Sequence, residues 1–585
     1  ISGICFIPTA LTKFKHITFP QLFFFWFISS NLRVDHFCCR IFHLQLGCLE
    51  MSIERDQNVF NLKESDDQFV DWKGRKANPG KHGGITAAAF ACVVEVFTNM
   101  VFLANAINFI TYFNKSMHYP HATSANMVTN FMGTSFLLSI LGGFIGDSIF
   151  TRFTTFIVFC TIELLGLILL TIQAQNPQFR PALNEKPSQS EAAILYTGLY
   201  SMAAGVGGIN ASLPAHGADQ LDHGNQRLIS AFFNWFFFSL CLGGLISCTV
   251  MVWVEENKGW NWSFTITAVV LSLALSIFIS GSPFYRHKLP GGSALTRIIK
   301  VLASAARNCK ASPEERVENQ YAVSAINPNR VDGKSHNKIK FLDKALIDNT
   351  ISEAQVDETR TFLGLLPIFA STIMMNCCLA QLQTYSVVQG VLMNRKLHNF
   401  EIPTQSLSVL PLSIMLASIP LYEKFRRILS SKKSEKIHIF QPLWRIGLGL
   451  ALASGSMAVA ALVEAKRREA ALDNATLSVF WLAWQFLLLG ASDMLTLGGM
   501  LEFFYSEAPD SMRSMCTALS WCSTSMGYFL SSVLVSIVNS ASGRFGREWL
   551  GGNDINHSRL DLFYTLLSIL NTLNFLSYMY LAKQY

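Results

Sequence analysis

The chain has 585 residues, of which 50% are hydrophobic and only 15% are charged, whereas about 25% of the residues of an ordinary soluble domain are charged. Apolar stretches recur along almost the whole length and contain most of the 46 phenylalanines, so both a soluble protein and a protein with a single membrane anchor are excluded. The formal net charge of +7 is modest, and we expect no nucleic-acid partner.

The first 84 residues differ from the apolar stretches that follow. Residues 1–50 do not begin with methionine and are rich in Phe and Cys without helical patterning, whereas Met51 opens a polar, acidic segment. We interpret residues 1–50 as an over-extended gene-model segment and residues 51–84 as a cytosolic N-terminal tail. The alternative is a signal or transit segment with "FPQLFFFWFIS" as its hydrophobic region.

Twelve stretches have the length of about 20 mostly apolar residues that a membrane-spanning helix requires. The first six are 85–113, 125–147, 153–173, 192–213, 229–254 and 262–281. The second six are 361–390, 405–422, 443–464, 476–505, 515–539 and 561–582. The stretch near residue 410 is the least clear, because it contains Pro411 and Pro420.

This pattern predicts an all-α integral membrane protein with 12 transmembrane helices. An N-terminal six-helix bundle (85–281) and a C-terminal six-helix bundle (361–585) are joined by a polar linker (282–360). Two such bundles with a binding site near the membrane midplane are the architecture of a major-facilitator transporter.

The linker fixes the predicted orientation. It contains "LTRIIKVLASAARN", which predicts an amphipathic helix along the membrane surface. Its excess of Lys and Arg predicts that the linker and both termini are cytosolic. The basic loop "EAKRREAALD" (464–473) falls on the outside in this topology and is an exception to the rule. Four glycosylation sequons, at Asn114, Asn261, Asn474 and Asn556, fall in outside loops.

Two charged motifs lie at predicted cytosolic ends of helices. In "GGFIGDSIFTRF" (142–153) small residues allow close helix contact, and Asp147 and Arg152 can pair in one conformational state and separate in another. In "GADQLD" (217–222), Asp219 and Asp222 are alternate partners for the basic groups nearby. We therefore predict a gating role for these four residues; the alternative is a set of solvated turn charges.

Five segments together resemble the plant nitrate/peptide transporter family, within the proton-dependent oligopeptide transporters of the major facilitator superfamily. They are "GGFIGDSIFTRF", "GGINASLPAHGADQLD", "FFNWFFFSLCLGGL", "SPFYRHKLPGGSALTRI" and "LEFFYSEAPDSMRS". The segments "LLPIFASTIMMNCCLAQLQTYSVVQG" and "MNRKLHNFEIPTQSL" are most similar to the fourth subfamily, whose members are implicated in moving nitrate, abscisic acid or gibberellins.

The resemblance assigns proton-coupling roles. The family's first span carries two carboxylates and an Arg, and here only Glu95 remains, because Thr98 and Asn99 occupy the other two positions. A Lys of the fourth span is replaced by Asn210, and the acid that pairs with it across the cavity matches Glu502. We therefore expect Glu95 and Glu502 to lack a cationic partner and to exchange protons, because burial disfavours the charged form of an unpaired acid.

The resemblance also suggests substrate contacts. Asn376, Leu379 and Gln383 share one face of the seventh span. Some nitrate carriers of the family have a histidine in place of Leu379, so its absence weakens the nitrate interpretation. With Asn99, Asn210 and Trp235, these residues are the candidate substrate-binding set. The alternative for each amide is hydrogen bonding between helices.

We predict a secondary transporter, and our first choice is a proton-coupled symporter of a small anion or weak acid such as abscisic acid, a gibberellin or nitrate. A substrate sensor or uncoupled facilitator is the alternative, and a peptide symporter ranks third. The 13 Cys and 13 His show no metal-ligand spacing, and no nucleophile and base occur at motif spacing. We expect no enzyme activity, metal or cofactor, a monomer or homodimer, and location in the plasma membrane or, as a second choice, the vacuolar membrane.

Overall fold

The computed structural model describes residues 69–78, 81–119, 121–181, 187–222, 224–292, 294–308, 340–347, 351–397, 400–401, 405–432, 441–473, 475–544, 549–550 and 558–585. The predictions for residues 1–50 and for most of the tail 51–84 lie outside the described residues.

The described chain is almost entirely α-helical. In chain order its helices are α1 (Gly84–Lys115), α2 (His121–Leu137), α3 (Ser139–Ser148), α4 (Arg152–Gln175), α5 (Gln189–Asp219), α6 (Gln226–Ile246), α7 (Val252–Lys258), α8 (Trp260–Ser280), α9 (Ala294–Arg307), α10 (Glu353–Gln383), α11 (Tyr385–Val391), α12 (Val409–Lys432), α13 (Pro442–Leu472), α14 (Leu482–Glu507), α15 (Arg513–Arg544) and α16 (Leu560–Gln584). Two antiparallel pairs of short strands join β1 (Phe69–Val70) to β2 (His287–Lys288) and β3 (Lys396–Leu397) to β4 (Phe400–Glu401).

Within the described residues, eleven helical stretches are long and apolar enough to cross a membrane. They correspond to eleven of the twelve predicted spans, with α2 and α3 forming the second and α6 and α7 the fifth. Helix α12 corresponds to the remaining predicted span, and it packs against α6 and α14. Charged residues in its last turns lower its mean hydropathy below that of the other eleven stretches. The prediction of an all-α membrane protein of the major-facilitator type is confirmed.

Close helix contacts in the first half depend on glycine. A Cβ on Gly142 of α3 would lie 2.6 Å from the Cα of Gly208 in α5. A Cβ on Gly243 of α6 would collide with the backbone oxygen of Val96 in α1. The helices of this half therefore pack backbone against backbone, as small residues allow in membranes.

The fifth span contains a π-helical turn, Ser247–Met251, between α6 and α7. Beyond the turn, Glu255 accepts a 2.7 Å hydrogen bond from the hydroxyl of Ser263 in α8. The turn contacts the short 3-10 segment Gln405–Ser408 of the other half. It therefore lies at the boundary between the two bundles.

The segment 464–473, which the sequence suggested to be a basic loop, is the last part of helix α13. Three of its six charged residues form ion pairs: Arg467 donates two 2.8 Å hydrogen bonds to Glu464, and Arg468 lies 3.0 Å from Asp561. Gln389 donates a further bond of 2.6 Å to Glu464. Of the segment's charges, Glu464 and Arg467 are thus buried and neutralise each other inside the second half, whereas Lys466, Glu469 and Asp473 are exposed.

The linker lies at one end of the molecule, which we call the linker side; we call the opposite end the far side. The sequence suggested that α9 lies along a membrane surface, and in the structure its apolar face packs against other residues of the linker and α10. Its buried Val301 and Ala305 pack against Leu342, Ala345 and Val356. The helix is amphipathic because it covers protein on one face and exposes residues such as Lys300 on the other.

A clasp formed by β1 and β2 ties the start of the linker to the first half. Arg286 donates hydrogen bonds to the backbone oxygens of Asp219 and Leu221 at the end of α5. The neighbouring His287 is buried among aromatic rings, and its ring centroid lies 4.8 Å from that of Phe153. Burial lowers the pKa of His287 to about 4, and Asp71 opposes that effect.

Candidate functional site

A cavity of about 140 Å³ lies between the two halves of the molecule. One wall is an aromatic stack, in which the ring centroid of Phe136 lies 5.6 Å from that of Trp521 and 6.3 Å from that of Tyr528. The indole Nε1 of Trp521 is buried and has no hydrogen-bond partner among the described residues. The polar side chains of the wall are Asn99, Asn210, Ser408, Asp493 and Thr524.

Three predicted substrate contacts line this cavity: Asn99, Asn210 and Leu379. They come from the first, fourth and seventh spans, so both halves contribute. The Nδ2 of Asn99 also donates a 2.6 Å bond to the backbone oxygen of Leu240 in α6, which fixes the orientation of the amide.

Two of the other predicted contacts, Asn376 and Trp235, do not line the cavity. Asn376 donates a 3.0 Å bond to Ser523 and accepts one of 3.3 Å from Thr524, both on α15, which is the interhelical role that was the alternative. Trp235 is buried in the core of the first half and is not part of the cavity wall. The side chain of Gln383 lies outside the described residues.

Sequence reasoning missed the carboxylate of the cavity, which belongs to Asp493 on α14. Its side chain and that of Asn210 line the same cavity, so Asp493 occupies the place that the sequence assigned to Glu502. Among the residues of the cavity wall, none is Lys, Arg or His. The acid is therefore placed in a mostly apolar chamber without a cation in its wall.

Glu95 lies one helical turn from Asn99, on the linker side of the cavity, and only 3% of it is exposed. The hydroxyl of Thr98 donates to the backbone oxygens of Val94 and Glu95, at 3.2 and 3.3 Å. Among the described residues, no basic side chain forms an ion pair with Glu95. The expectation of an unpaired acid therefore holds for this residue, and its position is suited to proton exchange beside the cavity.

Glu502 is paired, and the expectation that it lacks a cation is wrong. Its carboxylate accepts a 2.6 Å bond from Nη1 of Arg445, at the start of α13. Nη2 of the same guanidinium donates 2.8 Å to Asn234 of α6, which in turn donates to Glu423 of α12. No sequence motif indicated this cluster, because its four members lie on four different helices.

The predicted gate residues Asp147, Arg152 and Asp219 meet at the linker side in their paired state. Arg152 lies 2.9 Å from Asp147 and also contacts Asp219, and all three are buried. Two contacts tie this group to the other half: the backbone N–H of Met515 donates to Asp147 at 2.9 Å, and the hydroxyl of Tyr505 donates to Asp219 at 2.8 Å.

Asp222 is not part of this group. It is exposed, and its carboxylate accepts a 3.0 Å bond from the backbone N–H of Gly224 in a local turn. It therefore has the role of an ordinary turn residue in this conformation, whereas the other three predicted gate residues hold the halves together.

Two helical halves that enclose a cavity and meet through paired charges at one end define a secondary membrane transporter. A family model described as "PTR2: POT family" matches residues 153–550. The chain is 57% identical over 524 residues to Protein NRT1/PTR FAMILY 4.2 of Arabidopsis thaliana, a match that covers 89% of this chain and 99% of the relative. It is equally 57% identical over 526 residues to Protein NRT1/PTR FAMILY 4.1 of the same plant, which covers 89% and 99%. The chain belongs to the POT family of transporters.

Solved structures of transporters share the fold. The POT family transporter PepTSo superposes with a TM-score of 0.60 at 20% identity, over 85% of this chain and 98% of that one. An auto-inhibited POT family peptide transporter gives a TM-score of 0.59 at 18% identity, over 86% and 97%. The protein is thus a multi-pass membrane transporter and not an enzyme.

Proposed function

We propose that the protein is a proton-coupled symporter of a small weak organic acid, with abscisic acid or a gibberellin as the model substrates. The observation that carries this proposal is the composition of the cavity wall, which has one carboxylate, an aromatic stack and no basic side chain. Apolar burial against the aromatic stack can supply much of the binding free energy for such a substrate.

The charge of the substrate decides between candidates. Moving an anion into an apolar cavity is unfavourable unless its charge is paired or neutralised. A weak organic acid can be neutralised by a proton, and its carboxyl group can then hydrogen-bond Asp493 and accept from Nε1 of Trp521. Symport of the acid with protons therefore follows from the absence of a cation in the cavity wall.

Nitrate is the second candidate, because the amides of Asn99 and Asn210 provide N–H donors for its oxygens. Nitrate keeps its charge at physiological pH and offers no apolar surface to the aromatic stack. A peptide ranks third, because its carboxylate end would find no cation in the wall. Since Thr98, Asn99 and Asn210 replace charged groups of the family, a sensor or uncoupled facilitator is the alternative mechanism.

The proposed proton carriers are Glu95, Asp493 and Glu502. Glu95 and Asp493 lie beside and inside the cavity, whereas Glu502 can take up a proton only when its bond to Arg445 breaks. We place the protein in the plasma membrane, with the vacuolar membrane as the second choice. Both termini and the linker side are proposed to face the cytosol.

Uptake of radiolabelled abscisic acid, gibberellin and nitrate, measured side by side at two external pH values, tests the proposal. We expect uptake of an organic acid that increases as the external pH falls. Glu95→Gln and Asp493→Asn should each lose that increase while the protein still reaches the cell surface. Glu256→Gln is the matched control, because this exposed acid on α7 should leave uptake unchanged.

Voltage clamp of expressing cells distinguishes the coupled mechanism from the alternatives. A symporter that moves two or more protons with each monoanion gives a substrate-dependent inward current that grows with external acidity, whereas an uncoupled facilitator gives uptake without it. Transport of nitrate alone, or acid stimulation that survives in both variants, would contradict the proposal.

A further inference from the structure

We propose that Asn234 is the centre of a second latch on the linker side, which joins the two halves and has to break before that side opens. The inference rests on the transporter fold and not on the identity of the substrate. We call Asn234, Glu423, Arg445 and Glu502 the second cluster, and Asp147, Arg152 and Asp219 the first cluster.

The second cluster crosses the boundary between the halves. Asn234 belongs to α6 of the first half, whereas Glu423, Arg445 and Glu502 belong to α12, α13 and α14 of the second. All four are buried, with at most 6% of any residue exposed. The carboxamide of Asn234 accepts from Arg445 and donates to Glu423, so one side chain from the first half bridges a cation and an anion of the second.

The two clusters have the same plan. In each half an Arg at the start of the third span pairs with an acid near the end of the fourth, Asp219 or Glu502. An acid near the end of the second span completes each cluster: Asp147 pairs with Arg152 directly, and Glu423 is joined to Arg445 through Asn234. In the first cluster the partners from the opposite half are the backbone N–H of Met515 on α15 and the hydroxyl of Tyr505 on α14. In the second cluster the partner is the side chain of Asn234 on α6. The second cluster is therefore the counterpart of a group that the sequence already predicted to be a gate.

The clusters are also in physical contact through two helices. On α14, Glu502 belongs to the second cluster, and Tyr505, three residues later, donates its hydroxyl to Asp219 of the first. On α6, Phe233 packs edge-on against the ring of Tyr505 at 5.4 Å. Separation of the halves at either cluster must therefore disturb the other, so we infer that they open together.

The direction of the hydrogen bonds makes the latch testable. The amide of Asn234 accepts from a guanidinium and donates to a carboxylate at once, whereas an ionised carboxylate can only accept, so Asn234→Asp should turn the contact with Glu423 into a repulsion. Adding Glu423→Gln should restore the bridge with its second bond reversed, because the amide introduced at position 423 can donate to the new carboxylate. Glu423→Gln alone keeps an acceptor oxygen for Asn234.

The readout is the reactivity of Ser514→Cys with a maleimide in the detergent-solubilised full chain, resolved by mass spectrometry. Ser514 is completely buried at the linker side, where its backbone oxygen would lie 2.8 Å from a Cβ on Gly143. Asn234→Asp should increase the labelling rate about tenfold, the scale of one lost hydrogen bond to a charged group. The double variant should return to within about twofold of the parent.

Asn108→Asp is the matched control, because Asn108 is buried in α1 and bonds only within its own helix in the structure, to Ala104. It should leave labelling at position 514 unchanged. Equal increases in both Asp variants would show general loosening and overturn the proposal, as would an Asn234→Asp variant that labels like the parent. No substrate is needed, so a failure of the proposed function does not affect this outcome.

Discussion

Asp493 and Glu502 show how far a single residue can be assigned from sequence. They are nine residues apart on α14, which is two and a half helical turns, so their side chains leave the helix on opposite faces. Only one of them can face the cavity, and the sequence motif alone does not say which face packs inward. The structure places Asp493 at the cavity and Glu502 beside Arg445.

The pair of Arg445 and Glu502 gives a stability prediction. Arg445→Met should lower the free energy of unfolding by about 3 kcal/mol, because it leaves Glu502 buried without its cation. The expected result is a lower melting temperature in detergent. The double variant Arg445→Met with Glu502→Leu should recover much of the loss, and a single variant as stable as the parent would contradict the structural role of the pair.

Other residues of the cavity were predictable because the resemblance to the plant nitrate/peptide transporter family marks their positions as functional ones. Asn99, Asn210 and Leu379 were predicted as substrate contacts, and all three line the cavity. The bridge from Asn234 to Glu423 could not be predicted, because the two residues are 189 positions apart and only tertiary packing brings them together.

At the scale of elements, the contact between α3 and α15 depends on glycine. A Cβ on Gly143 would lie 2.8 Å from the Cα of Met515 and 2.8 Å from the oxygen of Ser514, both backbone atoms of the opposite half. Backbone cannot give way as a flexible side chain can, so the close approach of α3 to α15 requires glycine at this position.

Gly143→Ala should therefore hold the halves apart at the linker side and reduce the maximal transport rate about tenfold, the scale of an overpacked core. Transport rate per molecule at the surface is the measurement. Gly455→Ala on α13 is the matched control, because a Cβ there meets nothing within 4 Å. A Gly143→Ala variant that transports at the parent rate would show that this contact does not limit closure.

The clasp of β1 and β2 makes stability depend on pH. The pKa of His287 falls from 6.5 to about 4 in the folded protein, so between these values the unfolded chain binds more protons. The contribution of the buried, neutral His287 to the free energy of unfolding is fully present above pH 6.5 and is lost as the pH falls towards 4. His287→Phe should remove about 2 kcal/mol of this acid sensitivity, seen as a smaller drop in melting temperature. Identical pH profiles for parent and variant would contradict it.

At the scale of the whole molecule, the sequence predicts the twelve helices well, because each span is set by about 20 local apolar residues. Loops are harder. Residues 464–473 contain a run of three basic residues but hold three acidic residues as well, and Arg467 and Arg468 pair with Glu464 and Asp561 in the structure. A count of loop charges treats these arginines as exposed, and only the packed helices show that they are neutralised.

The predicted orientation can be checked with an impermeant maleimide on intact cells that carry the protein in the plasma membrane. Gln178→Cys is exposed on the far side and should label directly, whereas Lys300→Cys on α9 should label only after permeabilisation. Labelling is compared with that of the parent chain. The reverse pattern would place the linker outside and invert the proposed topology.

The π-helical turn Ser247–Met251 allows the fifth span to pack against α1 on one side of the turn and against α8 on the other. A residue inserted into an α-helix rotates everything beyond it by about 100°. Before the turn, the contact of Gly243 with Val96 fixes the rotation of α6 about its axis. After the turn, Glu255 of α7 accepts the hydrogen bond from Ser263. The turn therefore allows the two segments of the span to have different orientations about the helix axis. The orientation of α7 is set by its contact with α8, and that of α6 by its contact with α1.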